Sequence, residues 1–116
     1  MQDFRKLKVW QRAHQLTLSV YRLTADFPRD ELFGLRNSLR KTCIDIPAYI
    51  AEGSGKANDG EFLKSLGGAL ALANRLEYYV LLALDLKLFS TDEHNAVNLD
   101  IIDLKKMLNG FNRTLR

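Results

Sequence analysis

The run Gly53-Ser54-Gly55-Lys56 is the stretch of this 116-residue chain most like a reaction site, because glycines beside a lysine are what a phosphate-binding loop uses. Such a loop needs G-x-x-x-x-G-K followed by Ser or Thr, placed between a strand and a helix. Backbone amides then wrap the phosphates and the hydroxyl holds magnesium. Here two glycines flank one serine, Ala57 stands in place of the hydroxyl, and the residues before it carry a helical apolar rhythm. The stretch therefore reads as a helix end, with Gly53 and Gly55 taking left-handed backbone angles and Lys56 beside the negative end of the helix dipole.

Other chemistry is equally thin. A carboxylate-bridged metal centre in a bundle needs Glu-x-x-His motifs, and neither His14 nor His94 stands three residues after a glutamate. The single Cys43 cannot form an internal disulfide and falls in an apolar stripe, which suits a small buried residue better than a nucleophile. No serine marks a strained turn, so the reading is a chain that is not an enzyme and needs no metal or cofactor. Two carboxylates are out of place: Glu77 lies on or beside an apolar stripe, and Glu52 follows Ile50 and Ala51. A carboxylate on an apolar face must be paired or protonated, and Arg36 and Arg40, one turn apart, are the candidate partners.

Positive charge offers a different kind of site. Residues 1–41 hold nine Lys or Arg against four acids, a net of +5, whereas residues 42–116 hold eight against ten, a net of −2. Arg5, Lys6, Lys8 and Arg12 form one cluster and Arg36, Arg40 and Lys41 a second, both suited to phosphate contacts. A solvated basic face with no ligand is the alternative. No apolar run approaches the length of a membrane span, and the N-terminus lacks the features of a secretory signal, so the expected location is cytoplasmic.

The elements that must carry these residues are helices. Val9, Ala13, Leu16, Val20, Leu23 and Phe27 step by four and three, and Pro28 ends that stripe. Leu32, Leu35, Leu39, Cys43, Ile46 and Ile50 repeat the rhythm straight through Pro47, which predicts one kinked helix or two collinear ones, with Asp30 capping its start. Asn58 and Glu61 offer a cap for a third helix running to Leu84 and beyond, and Gly67-Gly68 inside it points to close backbone packing. Ser90-Thr91-Asp92-Glu93 is a capping box for the fourth. The expected fold is a single all-α, up-down-up-down four-helix bundle, with helices over about 6–27, 31–56, 59–87 and 91–114. The apolar faces are wide, with Trp10, Leu18 and Tyr21 beside the first stripe, which suggests contact across a subunit boundary as well.

The ordered run FRKLKVWQRAHQLTLSVYRLT, FPRDELFGLRNSLRK, IPAYIAEGSGK, EFLKSLGGAL and LEYYVLLALDL resembles the four-helix bundle family named for 23S rRNA-intervening-sequence proteins. Trp10, Phe33, Arg40, Pro47, Glu52, Gly53, Gly55 and Glu77 match its pattern. Tyr49 and Arg75 depart from it, standing where asparagine and an acid are usual. The resemblance implies a small bacterial protein assembling into a ring-shaped homo-oligomer, a homopentamer, with no established biochemical function. A related branch, the accessory proteins of diversity-generating retroelements, binds nucleic acid and a partner reverse transcriptase. Two functions follow as expectations: binding of RNA or DNA phosphates through the basic first two helices, or a ring that docks a partner protein such as a reverse transcriptase.

Overall fold

The four apolar stripes become four α-helices in the computed structural model, which describes residues 3–31, 34–56 and 58–115. They are α1 Lys8–Thr24, α2 Leu35–Ser54, α3 Asp59–Asp85 and α4 Thr91–Leu115, with 3-10 turns at Phe4–Lys6 and Arg29–Glu31. No strand occurs among the described residues. Leu32, Phe33 and Ala57 lie outside them. The long axis of the molecule is 44 Å, against 22 and 20 Å across, and the 27 residues of α3 account for nearly all of it at about 1.5 Å per residue.

Side-chain pairings set the topology. Thr17 meets Cys43 while Tyr21 and Thr24 meet Arg40, so α1 and α2 run antiparallel. Tyr49 lies against Gly68 and Gly53 against Phe62 and Ser65, which makes α2 and α3 antiparallel. Phe62 touches Phe111 and Glu77 reaches Lys105, so α4 reverses again. Arg12 with Asp103, and Phe27 with Phe89, close α4 onto α1. Each helix thus packs on two neighbours, and α1/α3 and α2/α4 lie diagonally across the core with no close backbone approach among the described residues. Val20, Leu39, Ile46, Ile50, Leu76, Val80 and Ile101 are wholly excluded from water, each contributing about 1.5–3 kcal/mol of burial.

Pro47 sits inside one continuous helix. Its ring removes the amide that would donate to the carbonyl of Cys43, one turn earlier. That buried carbonyl instead accepts from the Thr17 hydroxyl of α1 at 3.1 Å, a hydroxyl that also lies 2.9 Å from the Ala13 carbonyl. A break in the ladder of one helix is thereby closed by its neighbour, which explains how the apolar stripe keeps phase through a proline.

The helix ends differ in places from the sequence reading. No glycine among the described residues has positive φ, so Gly53 and Gly55 do not end α2 by left-handed angles. Gly53 is buried inside α2, where a Cβ would lie 2.6 Å from Ser65 Cβ and 2.7 Å from Phe62 Cδ1; it is a close-packing residue. Gly55 follows the last turn at φ −90°, and Lys56 N donates to the Gly53 carbonyl at 3.0 Å. Of Gly67-Gly68, only Gly68 is crowded, by the Tyr49 ring, while Gly67 meets nothing within 4 Å. The start of α2 falls at Leu35 because the preceding 3-10 turn uses residues 29–31; Glu31, rather than Asp30, accepts from the Leu35 amide at 3.1 Å. The caps at Asn58 and Ser90 form as expected, the latter reciprocally, with Ser90 N donating to Glu93 Oε1 at 2.8 Å and Glu93 N to Ser90 Oγ at 3.1 Å.

Candidate nucleic-acid interface

Four helices at the corners of a square leave four outer grooves, and the charged residues divide among them. Lys8, Gln11, Arg12 and Gln15 stand three, one and three residues apart on α1, which places them on one helical stripe. With Met107 of α4 they line an open cleft of about 460 Å³. Arg12 reaches Asp103 at 3.4 Å, but both side chains are close to half exposed, so the pair is worth at most about 1 kcal/mol and a phosphate can displace it. Lys8 is exposed and has no ion-pair partner among the described residues.

The 3-10 turn before α1 packs on the other side of the helix, against α2. Asp3 accepts from the Arg5 amide at 3.0 Å and pairs with its guanidinium at 3.3 Å, while that guanidinium lies 5.0 Å above the Phe4 ring. Lys6 is exposed. Gln11 Nε2 donates to the Arg5 carbonyl at 2.9 Å, locking the turn onto the helix. Phe4 packs edge-on to Trp10, and Trp10 stacks on His14 with ring centroids 4.9 Å apart. Trp10 is half-buried and serves as the anchor that fixes the turn.

The second cationic cluster lies elsewhere. Because α1 and α2 are antiparallel, Arg36, Arg40 and Lys41 lie level with the far end of α1, more than two helical turns from Arg12, and Arg40 meets it directly. Arg40 donates from Nε to Thr24 Oγ1 at 2.8 Å and from Nη2 to the Tyr21 carbonyl at 3.0 Å, with its guanidinium 4.4 Å above the Tyr21 ring. Partial burial, and then the neighbouring Arg36, push its pKa below the ordinary arginine value, while Tyr21 pulls it up. Arg40 is thus a clamp on the last turn of α1. Arg36 is half-buried and its Nε has no hydrogen-bond partner among the described residues. Lys41 is exposed.

The acids also find other partners than those expected. Glu77 pairs with Lys105 of α4 at 2.9 Å rather than with Arg36 or Arg40. The reason is direction: Glu77 lies on the α4 side of α3, whereas Arg40 turns toward α1. Glu52 is exposed and lines a cleft of about 360 Å³ between α2 and α3 with Tyr49, Lys56, Glu61, Lys64 and Ser65. Cys43 is buried, and burial pushes its thiol up to about 12 against a smaller opposing effect from Thr17, so it is a poor nucleophile. Among the described residues no group of three or more His, Cys, Asp or Glu is placed to hold a metal ion, and no helix is long and apolar enough to cross a membrane.

Sequence patterns cover nearly all of this frame. The family profile described as 23S rRNA-intervening sequence protein matches residues 5–110. The chain belongs to that family. A solved structure from Bacteroides thetaiotaomicron, described as a protein with unknown function from the S23 ribosomal protein family, superposes with a TM-score of 0.81. It is 19% identical, and the match covers 90% of this chain and 97% of that one, so the intervening-sequence fold is shared along its length. No curated protein matches the chain. Thr17, Asp103 and Lys105 are the partners that sequence reasoning missed. Thr17 alone left a trace, as a hydroxyl flanking the α1 stripe opposite a proline-broken helix.

Proposed function

We propose that this intervening-sequence family protein is a non-enzymatic, self-assembling bundle that binds RNA or DNA phosphates along the start of α1. The observation that carries the reading is that groove. Over 17 residues α1 holds three cations and no acid, and Lys8 and Arg12 share one open stripe with two neutral amides, Gln11 and Gln15. Cations neutralise phosphates, while the amides can bond sugar and phosphate oxygens. Arg5 and Lys6 add exposed cations on the turn before the helix, which packs on its α2 side, while Lys41 lies apart on α2. Nothing in the groove presents a base-reading pattern, so binding is weakly sequence-specific and falls steeply with salt.

Assembly makes such a groove effective. A few phosphate contacts bind weakly, and several copies on one particle raise the effective concentration for each further contact. A homo-oligomeric ring is the form we propose, five copies being the number the family resemblance implies. The exposed Leu18, Tyr21, Ile44, Tyr78, Leu81 and Leu99 support it, since isolated bundles rarely leave so many large apolar residues in water. A second reading, docking of a partner protein, draws on the same apolar residues; a partner captured equally well by a Lys8→Glu/Arg12→Glu variant would favour it. The test of the main reading is fluorescence anisotropy with labelled RNA and DNA from low to physiological salt, in which absence of binding at low salt excludes it.

A further inference from the structure

We infer that Asp103 is a built-in competitor for phosphate: it holds Arg12 in the free protein, so a strand engages Lys8 first and gains Arg12 only by displacing the carboxylate. The inference rests on the phosphate-binding reading of the groove between α1 and α4 and adds what limits that groove. Arg12 Nη2 lies 3.4 Å from Asp103 Oδ2. The two side chains are 48% and 43% exposed, so an incoming polyanion can reach the pair. α1 holds no acid, and the carboxylate that meets its cation comes from α4.

The α4 wall of the groove changes along its length. Arg12 against Asp103 and Phe27 against Phe89 set α1 and α4 antiparallel, so Met107, one turn after Asp103, lies level with Lys8. Lys8 thus faces a neutral wall and has no ion-pair partner among the described residues. Asp103 faces Arg12, and Asp100, half-buried one turn before it, continues the acidic wall away from Lys8. The two cations of one stripe are therefore unequal: Lys8 is free, and Arg12 is already taken.

As a unit, Arg12 and Asp103 are neutral. A phosphate that takes Arg12 exchanges one anion for another and leaves a carboxylate beside the strand, where it repels phosphate and retains a cation. The gain from Arg12 is thereby reduced and its share of the salt dependence is offset, whereas a contact by Lys8 counts in full. Asp103 weakens binding of every sequence alike, and so sets how tightly one groove holds a strand rather than which strand it holds.

The experiment is fluorescence anisotropy with labelled single-stranded RNA, from low to physiological salt, on the full chain as wild type, Asp103→Asn, Arg12→Ala and the double variant, with helicity checked by circular dichroism. Asp85→Asn makes the same change in net charge at the exposed last residue of α3, at the far end of the bundle from Lys8, and serves as the control. Asp103→Asn is expected to bind about two- to fivefold more tightly at low salt, the range of an exposed ion pair, with a salt slope steeper by up to about 0.7. Asp85→Asn is expected to match the wild type. Arg12→Ala is expected to cost less than about twofold in the wild type and about fivefold in the Asp103→Asn background. An Asp103→Asn protein that binds no more tightly than the wild type, an equal gain from Asp85→Asn, or an Arg12→Ala cost that is the same in both backgrounds overturns this inference and leaves the groove reading standing. Absence of wild-type binding at low salt overturns the groove reading and this inference with it. If Asp103→Asn lowers helicity, Asp103→Ser replaces it with the same expected outcomes.

Discussion

Thr17→Val isolates the contact that lets α2 carry a proline. Valine keeps the volume and branching of threonine but has no hydroxyl, so the Cys43 carbonyl, 3.1 Å from Thr17 Oγ1, is left buried without a donor. An unsatisfied buried carbonyl costs about 1–3 kcal/mol, which for a chain of this size is a fall of roughly 4–12 °C in Tm. Pro47→Ala supplies the internal control, because alanine restores the α2 amide that proline lacks and the carbonyl regains its in-helix donor. The proline's own replacement mixes a gain in helix propensity with a cavity, so only the double-mutant cycle is interpretable. Urea unfolding followed by far-ultraviolet circular dichroism, at one protein concentration, should show Thr17→Val costing about 2 kcal/mol in the native background and under about 0.5 kcal/mol in the Pro47→Ala background. Equal costs in both backgrounds would show that the hydroxyl does not replace the missing amide. It would then serve only the Ala13 carbonyl, 2.9 Å away in its own helix.

Two helix glycines should respond oppositely to alanine. Gly53→Ala places a methyl within 2.6 Å of Ser65 Cβ and should destabilise by about 1–3 kcal/mol through forced separation of α2 and α3. Gly67→Ala meets open space and should stabilise by about 0.5–1 kcal/mol from helix propensity; paired thermal melts check both signs. Cys43 should resist Ellman's reagent at neutral pH in the folded chain and react on unfolding, and fast reaction without denaturant would contradict its burial. Its folded pKa of about 12 lies above the ordinary thiol value of 9.0, so its contribution to stability is complete below pH 9 and is lost as pH rises toward 12. Over that window the wild type should lose up to about 1.4 kcal/mol per pH unit more than Cys43→Ala.

The bundle was legible in the sequence because its determinants are local and periodic. Val9 to Val20, Leu35 to Ile50, Leu66 to Val80 and Val97 to Leu108 each announce a buried face without knowledge of the others, and Asn58 and Ser90 mark starts through bonds three residues away. Pairings between helices were not legible. Glu77 on an apolar stripe demands a partner, yet nothing local distinguishes Lys105 from Arg36 or Arg40. That choice follows from which side of α3 the residue occupies once four helices close. The glycines of the opening stretch failed for the same reason: turn chemistry and close packing both call for glycine, and only Phe62 and Ser65 against Gly53 separate them. The basic residues were visible as a count, but antiparallel packing divides them into an open groove at Lys8 and Arg12 and a clamped cluster at Arg40.

Phosphate binding along the start of α1 meets its sharpest test in the salt dependence of binding to labelled single-stranded RNA, measured for the wild type and for Lys8→Ala. The logarithm of the wild-type binding constant should fall linearly with the logarithm of salt, and loss of Lys8 should weaken binding for every sequence tried and reduce the slope by about 0.7 per phosphate contact removed. No binding at low salt, or a Lys8→Ala variant with wild-type affinity and slope, would overturn the assignment.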